Sequence, residues 1–200
     1  MSPAARREAI VGAALQVMLS RGIAATTVRH VADEMGSSSG LIHHYFASMD
    51  DLLAAAFDRA AGEDLAATQA AMGSGARPLD RLRIFFATYV RAEQDWAFQL
   101  WLDAWAEAAR RPSLRDTSQR LNVAWQQLVA TAIADGVADG SWACADPEGS
   151  AWRILSLLDG LSLQAVAHRV SLDRHAVIRW SVEYAETELG LIPGSLARDR

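Results

Sequence analysis

Apolar residues recur at helical spacing along this whole chain, and glycines and prolines cut the pattern into segments of defined length. Ile10, Ala14, Val17 and Met18 stand at i, i+4, i+7 and i+8, one face of a first helix expected to end near Gly22. Thr26 and Thr27 are placed to cap a second helix whose inward side is Val28, Val31, Ala32 and Met35. Gly36 stops it. A short third helix follows Ser38, with Leu41, Ile42 and Tyr45 facing inward. A fourth starts at Ser48, where Ser48-Met49-Asp50-Asp51 has the form of a capping box with Asp in place of Glu, and runs to about Met72. The stretch GSGARP at 73–78 is the clearest break. Further helices are expected at about 78–94, 96–110, 113–139, 148–170 and 173–189. No alternating run is long enough to propose a sheet. The expected fold is all-α.

Composition narrows the class without naming a function. Two hundred residues, 51% of them hydrophobic, suffice for a core of ordinary domain size. A single cysteine, Cys144, excludes an intramolecular disulfide framework and fits a reducing cytoplasm. The N-terminus is charged and then amphipathic, and no apolar run reaches the roughly 20 residues that span a bilayer, so neither a secretory signal nor a membrane partner is expected. All nineteen basic residues are Arg. Residues 1–50 hold four Arg and four acids, so the net charge of −5 is carried by residues 51–200. Charge alone therefore does not announce nucleic acid.

The segment GSSSGLIHHYFASMDDLL, residues 36–53, says more. Two short helices joined by a tight, glycine-containing turn form a helix-turn-helix unit, whose second helix needs an apolar side for anchorage and a polar side that DNA can approach. Ser38, Ser39 and Gly40 are small enough to bring backbone near phosphate, and His43, His44 and Tyr45 offer hydrogen-bonding groups. A metal site is disfavoured, because the adjacent histidines point apart on a helix and no Cys or carboxylate lies at ligand spacing.

From the first helix to the start of the fourth, AIVGAALQVMLSRGIAATTVRHVADEMGSSSGLIHHYFASMDDLL resembles the N-terminal domain of TetR-family transcriptional regulators. Ala14, Gly22, Thr26-Thr27, Val31-Ala32, Gly36, Ser38, Gly40, Phe46 and Leu52 carry the resemblance. HYF at 44–46, WLDAWAEAARRPSLR at 101–115 and LLDGLSLQAV at 157–166 look like the BetI-type branch, whose named member responds to choline. The resemblance implies that Thr27 and Arg29 approach the phosphate backbone or a groove edge. It likewise implies that Ser38, Ser39 and Gly40 open the recognition helix, and that His43, His44 and Tyr45 meet bases and phosphates. Two positions depart from it. Met49 stands where relatives usually have a phosphate-binding lysine, and Ser37 replaces a usual small apolar residue.

All seven Trp lie beyond residue 95. Trp101 and Trp105 are one helical turn apart with Phe98 on the same side, and Asp103 and Glu107 lie around the same cylinder. Two readings stay open: aromatic core packing, or a ligand pocket of rings with a carboxylate nearby. The pocket reading takes Trp96, Phe98, Trp101, Asp103, Trp105, Trp125, Trp152 and Asp159. Rings with carboxylates favour an organic cation, while Arg110, Arg111 or Arg153 keep an anionic ligand open. Gly160 and Ser162 permit close helix approach, and the resemblance implies a homodimer interface there, at Leu157, Gly160, Leu161 and Gln164.

The resulting expectation is a ligand-responsive DNA-binding regulator, a repressor acting as a homodimer on palindromic double-stranded operator DNA. Residues 1–47 would bind DNA, and residues 48–200 would bind a small-molecule inducer and dimerise. No catalytic group, cofactor or metal is called for. The rival is a helical enzyme or small-molecule-binding protein that kept the fold without DNA binding.

Overall fold

The computed structural model describes residues 1–89, 95–168 and 172–197. Among them the secondary structure is helical: α1 (Pro3–Arg21), α2 (Val28–Glu34), α3 (Ser39–Tyr45), α4 (Met49–Gly73), α5 (Pro78–Tyr89), α6 (Asp95–Ala108), α7 (Pro112–Ala138), α8 (Pro147–His168) and α9 (Arg174–Glu188). The all-α expectation holds, with boundaries within a few residues of those read from caps and breaks. The expected continuations of the fifth helix to 94 and the eighth to 170 lie outside the described residues.

The chain divides into two compact units. One comprises Met1–Glu63 with Gln99–Asn122. Its α1 opens on a Ser2 cap, whose hydroxyl accepts the Ala5 N–H at 3.2 Å, with Pro3 in the first turn, where no amide donor is missed. It buries Ile10, Val11, Ala14, Val17 and Met18 and closes on Gly22 at φ +82°, a conformation a side chain would strain. Thr26 donates to the Gly22 carbonyl at 2.8 Å and Thr27 accepts the His30 N–H at 3.2 Å, so the threonine pair fixes the corner into α2. Helix α2 packs on both α1 and α3. Gly36, at φ +59°, lets the Ser37 N–H return to the Ala32 carbonyl at 2.9 Å, closing the turn into α3. Ser37 in place of an apolar residue therefore leaves the turn's backbone closed, although its hydroxyl is buried without a partner.

The second unit comprises Asp64–Phe98 with Val123–Arg200. Its core includes Leu82, Phe85, Phe86, Trp125, Ile133, Ile154 and Leu158. Helices α8 and α9 pack together, and α9 also packs on α5. Trp142 donates its indole N–H to the Ile133 carbonyl at 3.0 Å and lies over Gly136, where a Cβ would collide with the ring. Glu186, buried in α9, accepts the Gly194 N–H at 2.8 Å and the Leu196 N–H at 2.7 Å, which fastens the C-terminal turn. Arg83 donates to the Ser195 carbonyl at 2.8 Å on the same segment.

Candidate nucleic-acid interface and effector helices

The helix-turn-helix surface is built by burying one side of two short helices. Val31 and Ala32 of α2 and Ile42 of α3 are buried, and Phe46 closes α3 from within. Their opposite sides face solvent: Thr27 and Arg29 on one element, Ser38, Gly40, His43 and His44 on the other, with Ser39 and Tyr45 half-buried. Ser38 stands at the N-cap position of α3, but its hydroxyl makes no cap bond. That end is held by backbone alone, the Leu41 N–H reaching the Ser38 carbonyl at 3.1 Å. His44 and Tyr45 meet edge to face, 5.2 Å between ring centres. Without hydrogen-bond partners among the described residues, the exposed side chains of α3 are available to phosphate oxygens and base edges, the division of labour by which such helices position themselves and read sequence.

Helix α4 begins as its capping box predicts. The Ser48 hydroxyl accepts the Asp51 N–H at 3.1 Å and donates to the Asp51 carboxylate at 2.7 Å. Hydrogen bonds from Ser48 and Ser113 hold the Asp51 carboxyl below the usual carboxylate range. A second connection escaped sequence reasoning. Asp50 accepts the Ser113 backbone N–H at 2.9 Å, and the Ser113 hydroxyl donates to Asp51 at 2.9 Å. The first turn of α7 is thus capped by Asp50, with Asp51 holding the Ser113 side chain beside it. Arg120 reaches Asp58 at 2.6 Å farther along the same pair of helices.

The ligand candidates fall into both units. In the first, Trp101 stands edge-on to Phe57 at 4.9 Å and lies 5.5 Å from Trp105. Asp103 accepts a hydrogen bond from Gln99 at 3.0 Å and from the Ile23 N–H at 3.4 Å, so it serves the α1–α2 corner. Glu107 is paired with Arg110 and Arg111. The second unit holds Trp96, Phe98, Trp125, Trp152 and Asp159. Trp125 is buried and meets Phe85 at 6.5 Å, Arg174 lies 6.0 Å over Phe98, and Trp96 and Trp152 are exposed. Burial pushes the Asp159 carboxyl up to about 7, with no cation among the described residues offsetting it. On α8, Leu157 and Leu161 are half-buried while Gly160 and Gln164 are exposed. A Cβ on Gly160 would meet nothing within 4 Å. No cluster of metal-ligating side chains exists among the described residues, and no helix there is long and apolar enough to cross a membrane.

Comparison with known proteins agrees with this architecture. The family model for bacterial regulatory proteins of the tetR family matches residues 10–56, and that for the C-terminal region of BetI-type transcriptional repressors matches residues 78–190. The HTH-type transcriptional regulator BetI of Paraburkholderia xenovorans (strain LB400) is 30% identical over 192 residues, covering 92% of this chain and 93% of the relative. That of Rhizobium meliloti (strain 1021) is 28% identical over 186 residues, covering 92% and 89%. Among solved structures, a TetR-family transcriptional regulator from Rhodococcus sp. superposes with a TM-score of 0.77 at 26% identity, covering 92% of this chain and 98% of its own. A transcriptional regulator from Saccharomonospora viridis, solved in complex with choline, superposes with a TM-score of 0.80 at 24% identity, covering 90% and 95%. All of these relatives carry the names of transcriptional regulators. With an exposed recognition helix on a packed three-helix head and family matches over both regions, this chain is a DNA-binding transcriptional regulator of the TetR family, of the BetI type.

Proposed function

We propose that the protein is a repressor that binds a palindromic operator as a homodimer and is released from it by an organic cation. Residues 1–47 read DNA, through Thr27 and Arg29 of the α2 start and Ser38, Ser39, Gly40, His43, His44 and Tyr45 of the α3 segment. Residues 48–200 bind the effector and dimerise. The observation that carries the ligand reading is Asp159: a half-buried residue on α8 whose carboxyl is pushed up to about 7 by desolvation, in a unit that also supplies Phe98, Trp125 and Trp152. A buried acid whose charged form is disfavoured gains most from a cation that brings its own apolar surface, and aromatic rings hold such a cation with about 0.5–2 kcal/mol each. The choline complex of the Saccharomonospora viridis regulator is consistent with that chemistry.

Dimerisation is assigned to α8 and α9. Trp180 on α9 is 44% exposed, a large apolar side chain to leave at the surface of a chain that works alone. Gly160, with open space above it, lets a partner backbone approach.

A labelled duplex from the region upstream of the protein's own gene tests both parts. Choline and tetramethylammonium are expected to lower the anisotropy of the bound duplex, and size-matched carboxylates to leave it unchanged. Release by the anions alone overturns the cation reading and leaves the regulator standing.

A further inference from the structure

We propose that Arg7, held over the Phe46 ring, is a phosphate-binding residue of the DNA complex at the C-terminal end of the recognition helix. The inference rests on the DNA-binding reading of α2 and α3 and adds a contact from α1.

The need for it comes from the charge inventory. Operator affinity is drawn largely from neutralised phosphates, yet α3 carries no Arg and residues 1–50 supply only Arg6, Arg7, Arg21 and Arg29. Arg29 belongs to the α2 start. Arg6 is half-buried, one turn before the buried Ile10 and so on the packed side of α1. Arg21 ends α1, 14 residues and roughly 21 Å of helix away from Arg7. Arg7 is the cation left for the end of α3.

The geometry places it there. The Arg7 guanidinium carbon lies 4.8 Å from the centre of the Phe46 ring, and Phe46 is the residue that closes α3. Phe46 is itself buried, so the guanidinium forms an outer lid on the ring. A guanidinium lying over a ring keeps its N–H donors at its edge, in the fork that matches two oxygens of a phosphate. The ring holds the guanidinium near this position before DNA arrives, which reduces the ordering cost of the contact. The Arg7 side chain remains 48% exposed, and its ionic neighbour among the described residues, the adjacent Glu8, is 62% exposed at 3.8 Å. So loose a pair is screened by solvent and yields to a phosphate.

The acids nearest in sequence do not oppose this. Asp50 and Asp51 follow Phe46 by four and five residues, but Asp50 Oδ2 accepts the Ser113 N–H and the two Asp51 oxygens accept the Ser113 and Ser48 hydroxyls, while Asp50 Oδ1 is buried. Two carboxylates at the start of α4 are thereby committed to α7.

The test measures the salt dependence of binding by the full chain to two duplexes, the one upstream of its own gene and a mixed-sequence duplex of equal length. Arg7→Gln is expected to make the slope of log K against log salt shallower by about 0.9, the value of one phosphate, on both duplexes alike. Arg7→Lys is expected to keep the wild-type slope, since it keeps the charge. Arg21→Gln, with the same loss of charge at the far end of α1, is expected to keep it too. An unchanged slope for Arg7→Gln overturns the proposal, as does an equal loss in Arg21→Gln, which would make net charge rather than placement the cause. A wild-type chain that binds neither duplex overturns the DNA-binding reading and this inference with it. Binding by wild type with an unaltered Arg7→Gln overturns this inference alone.

Discussion

Asp50 of α4 accepts the backbone N–H of Ser113 at 2.9 Å, so a carboxylate 63 residues earlier in the chain caps the start of α7. Pro112 opens that helix without an amide donor, and Ser113 supplies the next one. Asp51 takes the Ser113 hydroxyl, and Ser48 holds Asp51 in place. The helix that follows the recognition helix is in this way joined to the start of α7 by directed bonds.

Removing that cap has a measurable cost. Asp50→Ala is expected to lower the unfolding free energy by about 0.5–2 kcal/mol, the range for losing a helix N-cap. Ser113→Ala, which keeps the backbone donor and loses only the hydroxyl, costs less than Asp50→Ala. Urea midpoints with unchanged m-values check the order. Equal stability of Asp50→Ala and wild type means that the carboxylate caps nothing.

Asp51 and Asp159 give pH dependences of opposite sign. The Asp51 carboxyl, held down by Ser48 and then by Ser113, binds fewer protons folded than unfolded. Its contribution is present above the unfolded value of 3.8 and is lost as the pH falls through the lowered folded value. The Asp159 carboxyl, raised to about 7 by burial, binds more protons folded than unfolded between 3.8 and about 7. Stability from this group therefore declines as the pH rises through that window and stays lowered above it. Asp159→Asn is expected to become more stable relative to wild type between pH 5 and pH 8, as urea midpoints across that range report. A choline-like ligand favours the ionised carboxyl, so its affinity for wild type is expected to rise over the same interval.

The sequence made the local structure legible where a cap or a glycine stood beside the helix it governs. Ser2, Thr27 and Ser48 bond within three residues of themselves, and Gly22 and Gly36 mark left-handed or otherwise strained corners. Ser38 shows the limit of that reasoning: it occupies the cap position while its hydroxyl caps nothing. Long-range polar bonds were not legible at all. Asp103, which the sequence sets beside Trp101 and Trp105, also accepts the Ile23 N–H, 80 residues earlier. Nothing in either local sequence signals such a partner. The seven Trp formed one cluster by position, but the fold uses them in different ways. Trp142 packs on Gly136, Trp125 on Phe85, and Trp152 and Trp180 face outward.

Gly160→Leu separates folding from assembly. Open space surrounds the position within the monomer, so the substitution is expected to leave the helical circular dichroism unchanged. If α8 forms the two-fold interface, the variant sediments as a monomer and loses binding to a palindromic duplex. A Gly160→Leu chain that sediments as a wild-type dimer places the interface elsewhere.

The central claim is that the exposed sides of α2 and α3 read DNA, and the double variant Arg29→Ala, His44→Ala tests it most directly. Both side chains are exposed, so the fold and its thermal midpoint are expected to be unaltered. Anisotropy titrations on the duplex upstream of the protein's own gene are expected to show binding weakened by about 1–3 kcal/mol for Arg29→Ala alone, if its contact is to a base edge, and by more for the pair. Wild-type affinity in a correctly folded double variant would contradict the account.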